Sequence, residues 1–407
     1  MKIAIVIWNL KISGGGQRQA LELAKYLINE KHDVKIYCAY LSKENCYPDL
    51  IKNFNIHSLY NQSRYKQNYT PILNLFKRFF YPLEPLFCLK QEKKIVNLMD
   101  KDFDIVNCHE SPAHRVGSIY KKRYRVPVVW MLNDLQSHLK IPRIDRNFKS
   151  LLKFFLFPIR GGLIGRYLDK NCVAKIDQII VLDRMNKNLL KENTNFDANI
   201  IRSGVDIGNF KYKKRRSNLQ QSEFKILVTG IFFPHRRFED LIIALNVLRK
   251  EGYNMKLNII GTDVCDKAYG RKIRNSVSVL NLEGYVNFLG TVSERELIRH
   301  YSTSDVFVFP NHPQTWGLAV FEAMACGTPV IVSTGCGASE VLTDGENTLL
   351  VPPESPEEIA SCLRKLFNDQ KLYEHLSING RKFVEENIRW DLYGKKMLQL
   401  FSEVLGY

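Results

Sequence analysis

Asp305-Val-Phe-Val-Phe-Pro-Asn-His-Pro-Gln-Thr-Trp316-Gly-Leu-Ala-Val-Phe-Glu322-Ala-Met-Ala-Cys326-Gly-Thr-Pro-Val-Ile-Val332 decides how the rest of the chain is read. An unbroken apolar run of strand length leads into a polar loop, then an apolar helix opening at Gly317-Leu318. That helix stops at Cys326-Gly327, and Thr328-Pro-Val-Ile-Val332 starts a second short strand. Strand, loop, helix, strand is the repeating unit of a parallel α/β sheet. The loop before the helix is an anion site in waiting, because the unbonded N–H groups of a first helical turn and the positive end of the helix dipole face it. One turn inside sits Glu322, an acid in an otherwise small and apolar helix. Its carboxylate either complements the helix dipole or accepts from both hydroxyls of a ribose whose phosphates the helix end holds.

Outward from this stretch the plan repeats. An apolar strand at Ile3–Trp8 turns through Ser13-Gly14-Gly15-Gly16-Gln17 into the periodic helix from Ala20 to Ile28, and Val34–Ala39 forms the next strand. The N-terminal apolar run leads straight into a glycine turn, so it reads as a first strand and not as a signal peptide. The strand beginning at Asp104 ends in the polar pair His109-Glu110. Strand carboxyl ends are where open α/β sheets bind ligands, which makes His109 a candidate. Beyond a charged, non-periodic stretch from Lys211 to Ser222, a second domain opens as the first did, with strand Phe224–Thr229, Gly230 and a loop carrying Pro234-His-Arg236-Arg237. Two arginine forks at a strand-to-helix turn suit a diphosphate. Further strands fall at Leu257–Gly261, Val286–Ser293 and Asp305–Pro310, and Lys382–Leu405 ends the chain as an amphipathic helix with Trp390 at a polar bend.

With these residues in place, the chain resembles the retaining glycosyltransferases of family four, which have the GT-B architecture. Glu322-Ala-Met-Ala-Cys-Gly-Thr-Pro-Val330 matches the second half of their donor-site signature residue for residue. The first acid of that signature falls on Gln314, which keeps hydrogen-bonding capacity and lacks the charge. Gly14, Gly15 and Gln17 lie on the positions of the family's Gly-Gly-x-(Glu/Gln) loop, and His109 coincides with its histidine after an Asp-(Val/Ile)-Val strand. In the phosphate loop Ile231 stands where the family has arginine, and Arg236 takes the second basic position. The turn from Gly290 to Ser293, with Val292, resembles the segment that packs on the nucleotide base.

The resemblance implies an α/β fold of two Rossmann-like domains facing a cleft, with the C-terminal helix crossing back to the N-terminal domain. It implies an acceptor-binding domain over 1–206, a linker over 207–222, a donor-binding domain over 223–385 and the returning helix over 386–407. The implied activity is transfer of a hexose from a nucleotide diphosphate sugar to a hydroxyl of a glycan or polyprenyl-linked acceptor, with retained configuration, no cofactor and no metal. Catalytic roles fall to His109, Arg236 and Gln314. Donor binding falls to Gly14, Gly15, Arg236, Arg237, Val292, Gln314, Gly317, Leu318 and Glu322. Two other readings remain open: a nucleotide-sugar epimerase, which also uses paired Rossmann-like domains, and a non-catalytic nucleotide-sugar-binding partner subunit, suggested by Ile231 and Gln314.

Composition bounds the partners. A chain of 407 residues with 45% hydrophobic content supports two packed cores. Nine cysteines without a Cys-x-x-Cys pair argue against a disulfide framework and a zinc site, and point to a reducing cytoplasm. The net charge of +17 points to anionic partners. Nucleic acid is excluded by the lack of zinc-finger spacing, an arginine-rich arm or an RNP-like aromatic pattern. Phe76–Lys94 and Lys140–Arg166 interleave basic residues with Phe and Leu. They read either as helices packed on their own domain or as segments that hold the protein peripherally on the anionic inner face of a membrane.

Overall fold

The computed structural model describes residues 1–61, 84–133, 162–214, 219, 223–313 and 316–407. They divide into two compact units, Met1–Arg202 with Tyr393–Tyr407, and Ser203–Leu392.

The first unit is built on an all-parallel sheet of seven strands: β1 (Lys2–Leu10), β2 (Asp33–Leu41), β3 (Ile56–Asn61), β4 (Ile105–His109), β5 (Val128–Met131), β6 (Gln178–Val181) and β7 (Asn199–Ile200). Their order in the sheet is β3-β2-β1-β4-β5-β6-β7. Ile3 through Ile7 are completely buried. A strand covered on both faces must be apolar at every position, which is why this run does not alternate. The helix Gly15–Asn29 seals one side with Ala20, Leu21, Ala24 and Leu27.

The second unit repeats the design with six parallel strands: β8 (Phe224–Thr229), β9 (Met255–Ile260), β10 (Val286–Gly290), β11 (Val306–Phe309), β12 (Val330–Ser333) and β13 (Leu349–Val351). They are ordered β10-β9-β8-β11-β12-β13. Its core joins Ile226, Val228, Leu257, Ile259, Val306, Val308 and Ile331 to helix residues such as Leu241, Leu245 and Leu363. Each sheet is Rossmann-like, and each reverses its winding once, between β1 and β4 in the first unit and between β8 and β11 in the second. Such switch points open a crevice at the strand carboxyl ends.

The chain end departs from a single helix beginning at Lys382. Two helices are present, Gln370–Asn387 and Trp390–Leu405, broken at Ile388-Arg389. The break is held by backbone: the Val205 N–H donates to the Ile388 carbonyl at 2.9 Å, and Gly204 lies against the Arg389–Trp390 peptide, leaving no room for a side chain. Past the break Tyr393, Met397 and Phe401 are buried, and Gly394 packs on the Tyr26 ring of the first unit.

Of the two basic aromatic segments, 62–83 and 134–161 lie outside the described residues. The described helix Glu84–Leu98 buries Ile95 and Val96 while Lys90, Lys93 and Lys94 are exposed. Among the described residues no helix is long and apolar enough to cross a membrane.

Candidate active site

In the second unit the β8/β11 switch point gathers most of the expected donor residues. β8 ends at Thr229, and Gly230 follows with φ +152°, a conformation glycine adopts readily. The Arg236 side chain lies across Gly230, its Nε 3.1 Å from where a β-carbon would sit, so a side chain at 230 would crowd the guanidinium. Asn311, completely buried just beyond β11, brackets this arginine. With its amide oriented by the hydrogen-bonding environment, its oxygen accepts from Arg236 Nη1 at 2.7 Å and its nitrogen donates to the Arg236 carbonyl at 3.3 Å. Arg237 is spent differently. At φ +53° it starts the helix Phe238–Lys250, and its Nε and Nη2 donate to the two Asp240 oxygens at 2.9 and 2.8 Å, with Glu354 3.5 Å from Nη1.

Opposite this loop, Gly317 caps the helix Leu318–Ala325 at φ +77°, its α-carbon so close to Phe309 that a β-carbon would lie 2.8 Å from the ring. Trp316, stacked on Phe321 at 4.6 Å, pins the loop to the helix it precedes. The amides of the first turn therefore open at the same strand ends as Arg236. One turn on, half-buried Glu322 accepts from the Tyr301 hydroxyl at 3.1 Å. Val292 lies half-buried beyond the end of β10, past the Gly290 turn at φ +69°. Gln314 lies outside the described residues.

In the first unit the β1/β4 switch point holds the others. Gly14 precedes the helix Gly15–Asn29 in extended conformation, Gln17 Nε2 donates back to the Asn9 carbonyl at 3.1 Å, and the β-carbon position of Gly15 is open space. His109, the last residue of β4, is completely buried. Its Nε2 sits 2.7 Å from Asn107 Oδ1, while the Asn107 amide nitrogen donates to the Val129 carbonyl at 3.2 Å. Because that nitrogen is committed, Oδ1 is the acceptor and His109 Nε2 carries the proton. Nδ1 then keeps its lone pair, and it has no hydrogen-bond partner among the described residues. Burial pushes the imidazole down to about 3, so it is neutral.

Beside it, Glu110 adopts φ +62°, its N–H on the Met131 carbonyl at 2.9 Å and its own carbonyl accepting from Trp130 Nε1 at 3.0 Å. This places the Glu110 carboxylate over Gly16, next to the Asn133 amide, whose two polar atoms have no partner among the described residues.

The expected residues thus form two groups, one at each switch point. Sequence reasoning missed Asn107, Asn133, Asn311 and Tyr301. A polar residue inside the buried run Ile105-Val-Asn-Cys-His was a usable signal for Asn107. Nothing local pairs Tyr301 with a carboxylate 21 positions later.

Two family models match consecutive parts of the chain, Glycosyltransferase Family 4 over residues 13–209 and Glycosyl transferases group 1 over residues 209–383. The uncharacterized glycosyltransferase MJ1607 of Methanocaldococcus jannaschii is 26% identical over the whole of both chains. The capsular polysaccharide biosynthesis glycosyltransferase CapM of Staphylococcus aureus is 26% identical over 49% of this chain and 51% of its own. Among solved structures, Anabaena HepE in complex with UDP superposes with a TM-score of 0.75 over 99% of this chain and 100% of its own, at 17% identity.

Proposed function

Because the chain belongs to the group 1, family 4 glycosyltransferases and has their GT-B fold, we propose that it moves a hexose from a nucleotide diphosphate sugar to a hydroxyl of a glycan or polyprenyl-linked acceptor, retaining anomeric configuration. The observation that carries this reading is the β8/β11 switch point. There a buried asparagine orients the Arg236 guanidinium beside a helix N-terminus, with a carboxylate one turn inside it.

Departure of a nucleoside diphosphate leaves negative charge on its terminal phosphate. Arg236 and the amides at Gly317–Leu318 stabilise that charge as it develops, without a metal ion. They are placed in advance, so little reorganisation accompanies the reaction. Glu322 accepts from the ribose hydroxyls, and Val292 packs on the base. Arg237, held by Asp240, shapes the loop. In the first unit His109 is assigned to catalysis, and Gly14 and Gly15 to donor binding. Gln314 supplies a neutral hydrogen-bonding group where relatives carry an acid. UDP in the HepE structure supports a nucleotide donor, and CapM supports a polysaccharide acceptor.

Arg236→Ala tests the reading. Turnover at saturating donor falls by roughly 10²–10³, the loss typical of removing one preorganised charge-stabilising donor, while donor affinity falls less. Undiminished turnover at saturation contradicts the role.

A further inference from the structure

Glu322 is anchored by a residue that lies outside the Glu322–Val330 stretch. Tyr301 lies near the end of the helix Glu294–Thr303. It is completely buried, edge-on to Phe307 at 5.5 Å and tilted against Phe210 at 6.2 Å. Its hydroxyl donates to Glu322 Oε2 at 3.1 Å. Its own carbonyl accepts from Thr328 Oγ1 at 2.5 Å, which ties the same residue to the loop entering β12.

A buried phenol has a single proton and gives it to the carboxylate, so the link runs in one direction, from Tyr301 to Glu322. Burial first, and the neighbouring carboxylate second, hold the phenol well above its ordinary range, so it remains a donor at every physiological pH. A glutamate on an eight-residue helix has three side-chain torsions, and a half-buried one samples several rotamers unless something fixes it. Tyr301 fixes it.

Building on the assignment of Glu322 to the donor ribose, we infer that Tyr301 is a positioning residue: it holds the Glu322 carboxylate in the orientation that reads the ribose diol, and so sets selection of ribonucleotide over 2′-deoxyribonucleotide donors. The ring serves packing. The hydroxyl serves recognition.

Tyr301→Phe separates the two, since the ring and its buried contacts remain. Calorimetry compares UDP with 2′-deoxy-UDP, and GDP with 2′-deoxy-GDP, on the wild type, Tyr301→Phe and Glu322→Gln. In Tyr301→Phe, affinity for the ribonucleotide falls roughly three- to tenfold while affinity for the deoxynucleotide, which keeps only the 3′-hydroxyl, falls less, so discrimination shrinks. Equal losses for both nucleotides show a purely structural role and overturn the inference. Collapse of discrimination in Glu322→Gln with full discrimination in Tyr301→Phe also overturns it and leaves the ribose assignment standing. Discrimination that survives Glu322→Gln, or a wild type that binds neither ribonucleotide, removes that assignment and the inference with it.

Discussion

His109 reaches its chemical state through two neighbours in the sheet. Val129 fixes the Asn107 amide, and Asn107 fixes the imidazole tautomer. A histidine at a strand end can be read from sequence, but its protonation cannot, because that depends on a backbone carbonyl one strand away. The linkage sign follows from the direction of the shift. The native group is held at about 3, so between its ordinary value and that one the unfolded chain binds a proton that the native chain refuses. Stability is therefore complete above about pH 6.5 and falls below it, by on the order of 1 kcal/mol per pH unit from this group. Urea midpoints at pH 7 and pH 5 are expected to drop further for the wild type than for His109→Gln; equal drops contradict a neutral buried imidazole. Glu322 acts at the same scale. Loss of a charge-assisted hydrogen bond in Glu322→Ala weakens nucleotide binding by about 2 kcal/mol, read by calorimetry. Unchanged affinity removes Glu322 from the ribose.

Strands and helices were the most legible level, since unbroken apolar runs such as Ile3–Ile7 and Val306–Phe309 have one use, in a sheet covered on both faces. What the sequence did not disclose was how helices far apart share buried charge. Arg115 on the helix Ala113–Tyr124 donates from Nε to Asp169 Oδ1 at 2.5 Å and lies 3.5 Å from Glu92, while His114 meets the same Asp169 oxygen at 3.0 Å. These side chains join the helices Glu84–Leu98, Ala113–Tyr124 and Gly162–Val173, and partners 23 and 54 positions from Arg115 carry no local signature. Burial pushes the Glu92 carboxyl up to about 7, against the opposing pull of Arg115 and with help from Asp169. A raised carboxyl contributes stability that is full below its ordinary value and is lost as pH rises through 7. Glu92→Gln is thus expected to gain on the wild type between pH 5 and pH 8, by about 1–3 kcal/mol in chemical denaturation. A constant difference across that range contradicts the shift. The basic segments belong to this scale too. Each exposed Lys or Arg near an anionic surface contributes roughly 1 kcal/mol, screened by salt. Cosedimentation with phosphatidylglycerol vesicles at low salt, abolished at high salt and absent with neutral vesicles, is the expected result. Equal pelleting with both vesicle types leaves the segments as packed helices.

For the whole molecule, the recurrence of one strand-loop-helix plan in both halves made two Rossmann-like units readable, and the donor signature around Glu322 made the second unit more legible than the first. The sequence was a poorer guide to the chain end. The break at Ile388-Arg389 depends on Val205 and Gly204, which lie almost two hundred positions earlier. The returning residues Tyr393, Met397 and Phe401 are buried in the unit that begins at Met1. Whether one molecule joins a nucleotide-sugar site to transfer chemistry is read from product release. The protein is incubated without acceptor against UDP-, GDP- and dTDP-hexoses carrying a radiolabelled sugar, and free sugar is measured beside Arg236→Ala and Glu322→Gln controls. Slow release of labelled sugar and nucleoside diphosphate in equal amounts from one nucleotide class, lost in the Arg236 variant, is expected. Tight donor binding with no release, or release undiminished by Arg236→Ala, would contradict it.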